Sequence, residues 1–148
     1  MNWPFSLLAI DELKINLKSI TEMLENYALG RWPMAAHILQ VAYYPTLQET
    51  RTLMLKSAGY QVTSVLGNDN AMSLDGTLIA AADLIVVGFS ASHSVRAAMV
   101  LWFKARYPKI PVVVLQFSSW EKFPEADVST FSEDPTLWLA EVASILKS

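Results

Sequence analysis

The hydrophobic positions of residues 37–147 follow two distinct spacings. Short apolar runs rich in β-branched residues predict strands, and longer stretches with an apolar residue every three or four positions predict amphipathic helices. The predicted strands are 37–44, 60–66, 84–87, 111–115 and 127–131. The predicted helices are 45–58, 70–81, 92–107 and 135–147.

Residues with strong turn and capping preferences support several of these boundaries. Gly59 follows the first of the four helices, at the position where a left-handed residue commonly ends a helix. Asp75 and Gly76 interrupt the second helix, which is therefore expected to be short or frayed. Asp134 precedes Pro135 and is expected to cap the last helix.

Strands that alternate with helices predict an α/β fold. The continuous β-branched run at 84–87 is typical of a central strand buried on both faces. We expect an open five-stranded parallel sheet in the order 2-1-3-4-5, with helices on both faces. Ligands of such sheets bind at the carboxyl ends of the strands. Those ends are 42–44, 88–90 and 116–118.

A separate amphipathic pattern precedes this body and ends at Gly30, so we divide the chain into an N-terminal helix with its linker, 1–33, and a domain, 34–148. Apolar residues there are spaced alternately three and four apart, as in a coiled-coil seam. The pattern indicates pairing with a second copy, and docking on the chain's own domain is the alternative. The seam residues are Ile10, Leu13, Leu17, Ile20, Leu24 and Tyr27.

Composition favours an assembled protein. Of the 148 residues, 53% are apolar and only 17% are charged, against a usual charged fraction of about 25%. So little charge suits a solitary monomer poorly, and a homodimer is expected. The chain has no cysteine, which excludes disulfides, thiolate catalysis and iron–sulfur clusters.

Charge and hydropathy also limit the kinds of partner and the cellular location that we expect. The net charge is −3 and the basic residues are scattered, so no nucleic acid partner is expected. No apolar run approaches the ~18 residues of a membrane span, and the N-terminus lacks the pattern of a signal peptide. We therefore expect a cytoplasmic protein.

Five segments of the predicted scaffold carry a family resemblance. They are Ile38-Leu39-Gln40-Val41, Gly59-Tyr60-Gln61-Val62, Asp83-Leu84-Ile85-Val86-Val87, Pro111-Val112-Val113-Val114-Leu115 and Ala126-Asp127. Together they resemble the receiver domain of two-component response regulators. The resemblance covers about three quarters of the chain and implies the flavodoxin-like fold of that family and a role in signalling.

The residues that carry receiver chemistry are missing at the matching positions. The family has an acid pair for Mg²⁺ after strand 1, a phosphoacceptor aspartate after strand 3, a hydroxyl residue after strand 4 and a lysine after strand 5. The residues found here are Ala42 and Tyr43, then Gly88, then Gln116, and finally Phe131 or Ser132. The chain is therefore similar to stand-alone pseudo-receivers, which implies no phosphorylation, no metal and no cofactor.

The connection between strands 4 and 5 is short for a receiver. Only 118–125 is available for a helix, and Pro124 lies within it, so that helix is expected to be short or lost. In the preceding helix, we expect Val95, Met99 and Trp102 to face the core. Its uncovered flank is a second candidate interface, formed by Val100, Leu101 and Phe103.

Serines after strand 3 offer two further interpretations. Gly88-Phe89-Ser90-Ala91-Ser92 superficially matches a serine nucleophile elbow, but no histidine follows His93 to act as its base. Ser90 or Ser92 is instead expected to cap the next helix, and an anion held at that helix N-terminus is the alternative. The only other histidine is His37, so the histidines show no metal-ligand spacing.

Aromatic residues cluster at the predicted strand ends. We expect the rings to pack on one another and fill the lost acid pocket, and a crevice for a flat apolar ligand is the alternative. The candidate crevice comprises Tyr43, Tyr44, Phe89, Ser90, Ser92, His93 and Phe117, with Trp120 nearby. The sequence thus predicts a non-catalytic, receiver-like module that contacts another signalling protein or a second copy, with small-molecule sensing as the alternative.

Overall fold

The structure is a computed structural model that describes Thr21 and residues 35–147. The predicted N-terminal seam lies outside the described residues, and pairing or docking through it stays a prediction. None of the described helices is both long enough and apolar enough to cross a membrane.

Five strands form one parallel sheet in the order β2-β1-β3-β4-β5, which confirms the predicted fold. The central strand β3 is buried along its whole length, as its β-branched composition predicts. The strands are β1 His37–Ala42, β2 Gln61–Leu66, β3 Leu84–Val87, β4 Val112–Gln116 and β5 Val128–Phe131.

The described helices cover both faces of the sheet. They are α1 Pro45–Ser57, α2 Gly67–Met72, α3 Gly76–Ala80, α4 His93–Arg106 and α5 Pro135–Lys147. Helices α1 and α5 bury Leu55, Trp138 and Val142 against one face. On the other face, α2, α3 and α4 bury the cluster that includes Ala71, Ile79, Met99 and Phe103.

Capping residues set several helix ends as predicted. Gly59 follows α1 with a φ of 98°, a conformation that glycine adopts without strain. The Ser92 hydroxyl accepts a hydrogen bond from the Val95 amide at 3.4 Å at the start of α4. Asp134 accepts one from the Thr136 amide at 3.0 Å at the start of α5.

The helix predicted over 70–81 is wrong in its bounds. The chain forms two short helices there, α2 and α3, because the Asp75 carboxylate accepts the Thr77 amide at 2.8 Å and starts a new helix. The first strand also ends earlier than predicted, at Ala42, since Pro45 opens α1 directly after Tyr44.

The predicted inward face of α4 is confirmed at Met99, which is buried, and at Trp102, which packs against the core, but it is wrong at Val95. Val95 is 41% exposed, and the buried residues are Arg96, Met99, Val100 and Phe103. These four lie at i, i+3, i+4 and i+7, a regular buried stripe that a sequence pattern discards because its first member carries a charge.

Two residues of the predicted α4 interface are therefore wrong. Val100 and Phe103 are 1% and 0% exposed and belong to the core of the domain itself, so they offer nothing to a partner. Leu101, between them, is 50% exposed. Of the predicted flank, only Leu101 is available at the surface.

The connection between β4 and β5 contains no helix, as its length predicts. Its Phe123 inserts into the core on the α4 side of the sheet. An irregular loop with Phe123 in the core thus connects β4 and β5.

Candidate functional site

The parallel register brings the predicted site positions to one edge of the sheet. Val41 pairs with Val87, so the residues after them lie side by side, and the Gly88 amide donates to the Val41 carbonyl at 2.9 Å. At the other side, the Ser132 amide and hydroxyl donate to the Gln116 carbonyl at 2.9 and 3.1 Å. The predicted site positions thus lie at the ends of neighbouring strands, as the fold predicts.

Gly88 makes room for an arginine from α1. A Cβ atom at residue 88 would stand 2.6 Å from Arg51 Nη1, far inside van der Waals contact. The Arg51 guanidinium also lies over the Phe89 ring, 4.9 Å from its centroid. A cation therefore fills the space next to the end of β3.

Arg51 is buried without an anionic partner among the described residues. It is 4% exposed, and its Nη2 atom has no hydrogen-bond partner. The two ion pairs between described residues are Arg96 with Glu121 and Lys104 with Asp127. Burial lowers the pKa of Arg51 to about 10, so the group stays protonated near neutral pH.

Arg96 is a second buried guanidinium, and its donors are satisfied. It donates to the carbonyls of Ala91 and Leu115 at 3.2 and 3.0 Å and to the Glu121 carboxylate. It also lies over the Phe123 ring, 4.8 Å from the centroid. Arg96 thus ties the start of α4, the end of β4 and the β4–β5 loop together.

Tyr43 places a neutral hydroxyl directly after β1. Its hydroxyl donates to Asn68 Oδ1 at 2.7 Å, and Asn68 Nδ2 donates to the Val95 carbonyl at 2.8 Å. Burial raises the pKa of Tyr43 to about 12, against the opposing charge of Arg96. Tyr43 therefore remains protonated at neutral pH and works as a structural link between β1, α2 and α4.

The aromatic rings form separate pairs, so the predicted single cluster is only partly present. Phe89 stacks on Phe117 with centroids 4.8 Å apart, and Trp120 packs on Phe131 at 5.2 Å. Contacts between described rings include neither Tyr43 nor Tyr44, and Tyr44 is 55% exposed.

The remaining polar candidates serve local structure. Ser92 caps α4, and its hydroxyl lies 3.3 Å from that of Ser94. His93 Nε2 lies 2.7 Å from the Lys122 carbonyl, and its ring stacks on Phe123. Ser90 is exposed. Capping and loop attachment therefore account for the contacts of Ser92 and His93.

The residues that shape this edge most, Arg51 and Arg96, were not among the predicted site residues. Arg51 does carry a signal, because it lies four positions before the buried Leu55 on the same face of α1. Gln40 is another buried polar residue that was not predicted, but it lies mid-strand and not at this edge, and it donates to Thr52 and Ser64 at 3.0 and 2.9 Å. Helical spacing marks positions as inward and cannot identify what a charged group meets there.

The donor set at this edge does not fit the Mg²⁺ ion that the fold family implies. Mg²⁺ needs carboxylate oxygens, and the positions concerned hold Ala42, Tyr43 and Gly88, with the Arg51 cation beside them. Within residues 35–147, no three His, Asp or Glu side chains group together as metal ligands would.

Solved structures of receiver domains have the same fold. The chain is similar to the signal receiver domain of a signal transduction histidine kinase from Syntrophus aciditrophicus, at 25% sequence identity and a TM-score of 0.62, over 76% of this chain and 91% of that chain. A response regulator receiver domain protein from Clostridium thermocellum has 11% identity and a TM-score of 0.67, over 76% and 94% of the two chains.

A response regulator from Thermotoga maritima, solved with Mg²⁺ and BeF, has 14% identity and a TM-score of 0.62, over 75% of this chain and 98% of that chain. No protein-family model matches the chain, and no curated protein matches it in sequence. The chain has the receiver-domain fold, which indicates a signalling module.

Proposed function

We propose that the chain is a receiver-like signalling module that is not phosphorylated at the usual position and acts through protein contacts, without catalysing a reaction. The observation that carries this proposal is the pairing of Gly88 with Arg51 at the end of β3. A receiver places its phosphoacceptor carboxylate there, and glycine has no side chain to accept a phosphoryl group.

The charge at this edge supports the same conclusion. Receivers concentrate acids at the strand ends to hold Mg²⁺ beside the phosphoacceptor, because a hard cation needs oxygen ligands. Among the described residues, the buried charged side chains are two guanidinium ions, Arg51 and Arg96. A metal cation would be repelled by Arg51, which has no carboxylate partner among the described residues.

Incubation with acetyl phosphate and Mg²⁺ tests the loss of phosphorylation. We expect no phosphoryl gain in the intact mass, while a receiver domain that carries the aspartate, treated in parallel, gains one. A stoichiometric phosphoprotein that is acid-stable or sensitive to hydroxylamine would overturn the proposal.

We propose a homodimer or another signalling protein, and not nucleic acid, as the partner. Apolar residues stand exposed around the sheet edge and on α4, where a partner would cover them. They include Leu101 and Phe117, both 50% exposed, and Trp120 at 55%. The proposed N-terminal seam would add a second contact surface.

Light scattering on full-length variants separates these surfaces. If the seam pairs two copies, Leu17→Asp and Leu24→Asp yield monomers, and Lys18→Asp on the polar face leaves the dimer intact. If Leu101 is the contact, Leu101→Asp yields the monomer instead. A monodisperse monomer for the unaltered chain would exclude the homodimer and leave a different signalling protein as the partner.

A second candidate function is small-molecule sensing at the Phe89–Phe117 stack. The observation that favours it is that Phe117 is half exposed while its ring stacks on Phe89, so an incoming flat ring has a face to contact. Saturation-transfer NMR with a set of small aromatic compounds tests it. Transfer that Phe117→Ala abolishes would favour sensing, and no transfer would exclude it.

A further inference from the structure

Arg51 is a buried cation that forms no ion pair with any of the described residues. It is 4% exposed, so water solvates it poorly, and Nη2 has no hydrogen-bond partner. The Phe89 ring lies 4.9 Å from the guanidinium carbon and offsets only part of the lost hydration. An unpaired buried charge is strongly unfavourable, and native proteins usually pair it.

The position of Arg51 is one where open α/β sheets bind ligands. Its Nη1 atom lies against Gly88, the first residue after β3, at the carboxyl edge of the sheet. The Phe89 ring beside it stacks on Phe117, which is half exposed, so this cluster continues to the protein surface. Packing therefore fixes the guanidinium next to a ring pair that reaches the surface.

We infer that Arg51 anchors a non-covalent binding site for a small oxyanion, a phosphate or carboxylate group, at the end of β3. A guanidinium presents its N–H donors in a plane that matches the oxygens of such groups, and Nη2 is a buried donor without a partner. Because the folded protein has already desolvated this cation, an incoming anion gains a charge-assisted hydrogen bond without a further desolvation cost on the protein side.

This site goes beyond the proposed signalling function and does not rest on it. No bond to phosphorus forms or breaks, so the acetyl phosphate experiment and an anion titration can fail separately. The anion would take the place that receivers give to acids and a metal, with the charges reversed: a protein cation and a ligand anion.

Titration of the full chain with inorganic phosphate, followed by amide NMR at constant ionic strength with chloride as the balancing anion, tests the site. We expect saturable shifts at the Gly88, Phe89 and Ser90 amides. Arg51→Gln should raise the dissociation constant for phosphate at least tenfold, a typical effect of losing one charge-assisted hydrogen bond. The matched control is Arg106→Gln, an exposed arginine on α4, which should bind phosphate like the unaltered chain.

A parallel titration with acetate distinguishes a carboxylate ligand from a phosphate ligand, and saturation by either supports the site. If Arg51→Gln does not fold, Gly88→Ala replaces it, since its Cβ displaces the guanidinium and should weaken phosphate binding. The inference is wrong if neither anion gives saturable shifts, or if the Arg51 and Gly88 variants bind as tightly as the unaltered chain.

Discussion

Arg51 Nη1 lies 2.6 Å from the point where a Cβ atom of residue 88 would stand, so the arginine and Gly88 form a matched pair. Gly88 follows the central strand β3 and has no side chain. Arg51 extends from α1 and places its guanidinium in the space that a side chain at residue 88 would occupy. Neither residue type alone explains the site. A side chain at residue 88 and the present guanidinium position exclude each other.

Gly88→Ala is expected to destabilise the fold by about 1–3 kcal/mol, the usual cost of overpacking a buried site. The new methyl group would push Arg51 from its place, and burial leaves that side chain little room to move. Urea unfolding measures the free energy of unfolding.

The matched control for this prediction is the same substitution in an Arg51→Ala background. With the guanidinium removed, Gly88→Ala should cost less than about 1 kcal/mol, and the double-mutant cycle reports the coupling. Equal costs in both backgrounds would show that the clash with Arg51 is not the cause.

Tyr43 is expected to keep its proton to high pH, because burial raises its pKa to about 12 from 10. The folded state holds this proton more tightly than the unfolded state does. Stability that depends on the neutral hydroxyl is therefore fully present below pH 10 and is lost as the pH rises toward 12.

The check compares the unaltered chain with Tyr43→Phe. At neutral pH the variant should be about 0.5–1.5 kcal/mol less stable, since it loses the hydrogen bond to Asn68. That difference should shrink between pH 10 and 12, and tyrosinate absorbance should lose its late phase. A difference that stays constant with pH would contradict the raised pKa of Tyr43.

Glu121→Ala is expected to cost about 1–2 kcal/mol, because it leaves the buried Arg96 without its carboxylate. This cost is smaller than that of breaking a fully buried ion pair, since the Glu121 side chain is 37% exposed and water partly screens its charge. Urea unfolding and hydrogen exchange of the β4–β5 loop measure the effect. Glu125→Ala, an exposed acid of the same loop, should change neither, and equal effects would refute a specific role for the ion pair.

Truncation of Phe103 and of Leu101, two nearby residues of α4, is expected to lower the stability of the domain by very different amounts. Phe103→Ala should cost about 3–5 kcal/mol, as for other buried aromatic residues, because the side chain is fully buried. Leu101→Ala should change the stability of the domain by less than about 0.5 kcal/mol, since the side chain is half exposed. Similar costs for the two in urea unfolding would contradict the observed orientation of α4.

The difference between the predicted and the observed buried face of α4 also shows where sequence patterns fail. An apolar row that includes Val95 fits helical spacing, but the helix buries Arg96 because Ala91, Leu115 and Glu121 supply acceptors for its donors. Those partners lie up to 25 residues away in the chain. No local pattern identifies an acceptor at that separation.

The sequence by itself determined the alternation of strands and helices, the strand order, the loss of a helix between β4 and β5, and the absence of acids at the strand ends. The elements, the short connection and the missing acids follow from periodicity, spacing and residue type, which are local properties. The strand order follows from the fold class that alternating strands and helices predict. Only the tertiary structure decided that Arg51 fills the space beside Gly88, because that contact joins a helix and a strand end 37 positions apart. Packing, not pattern, placed a buried cation at this end of the sheet.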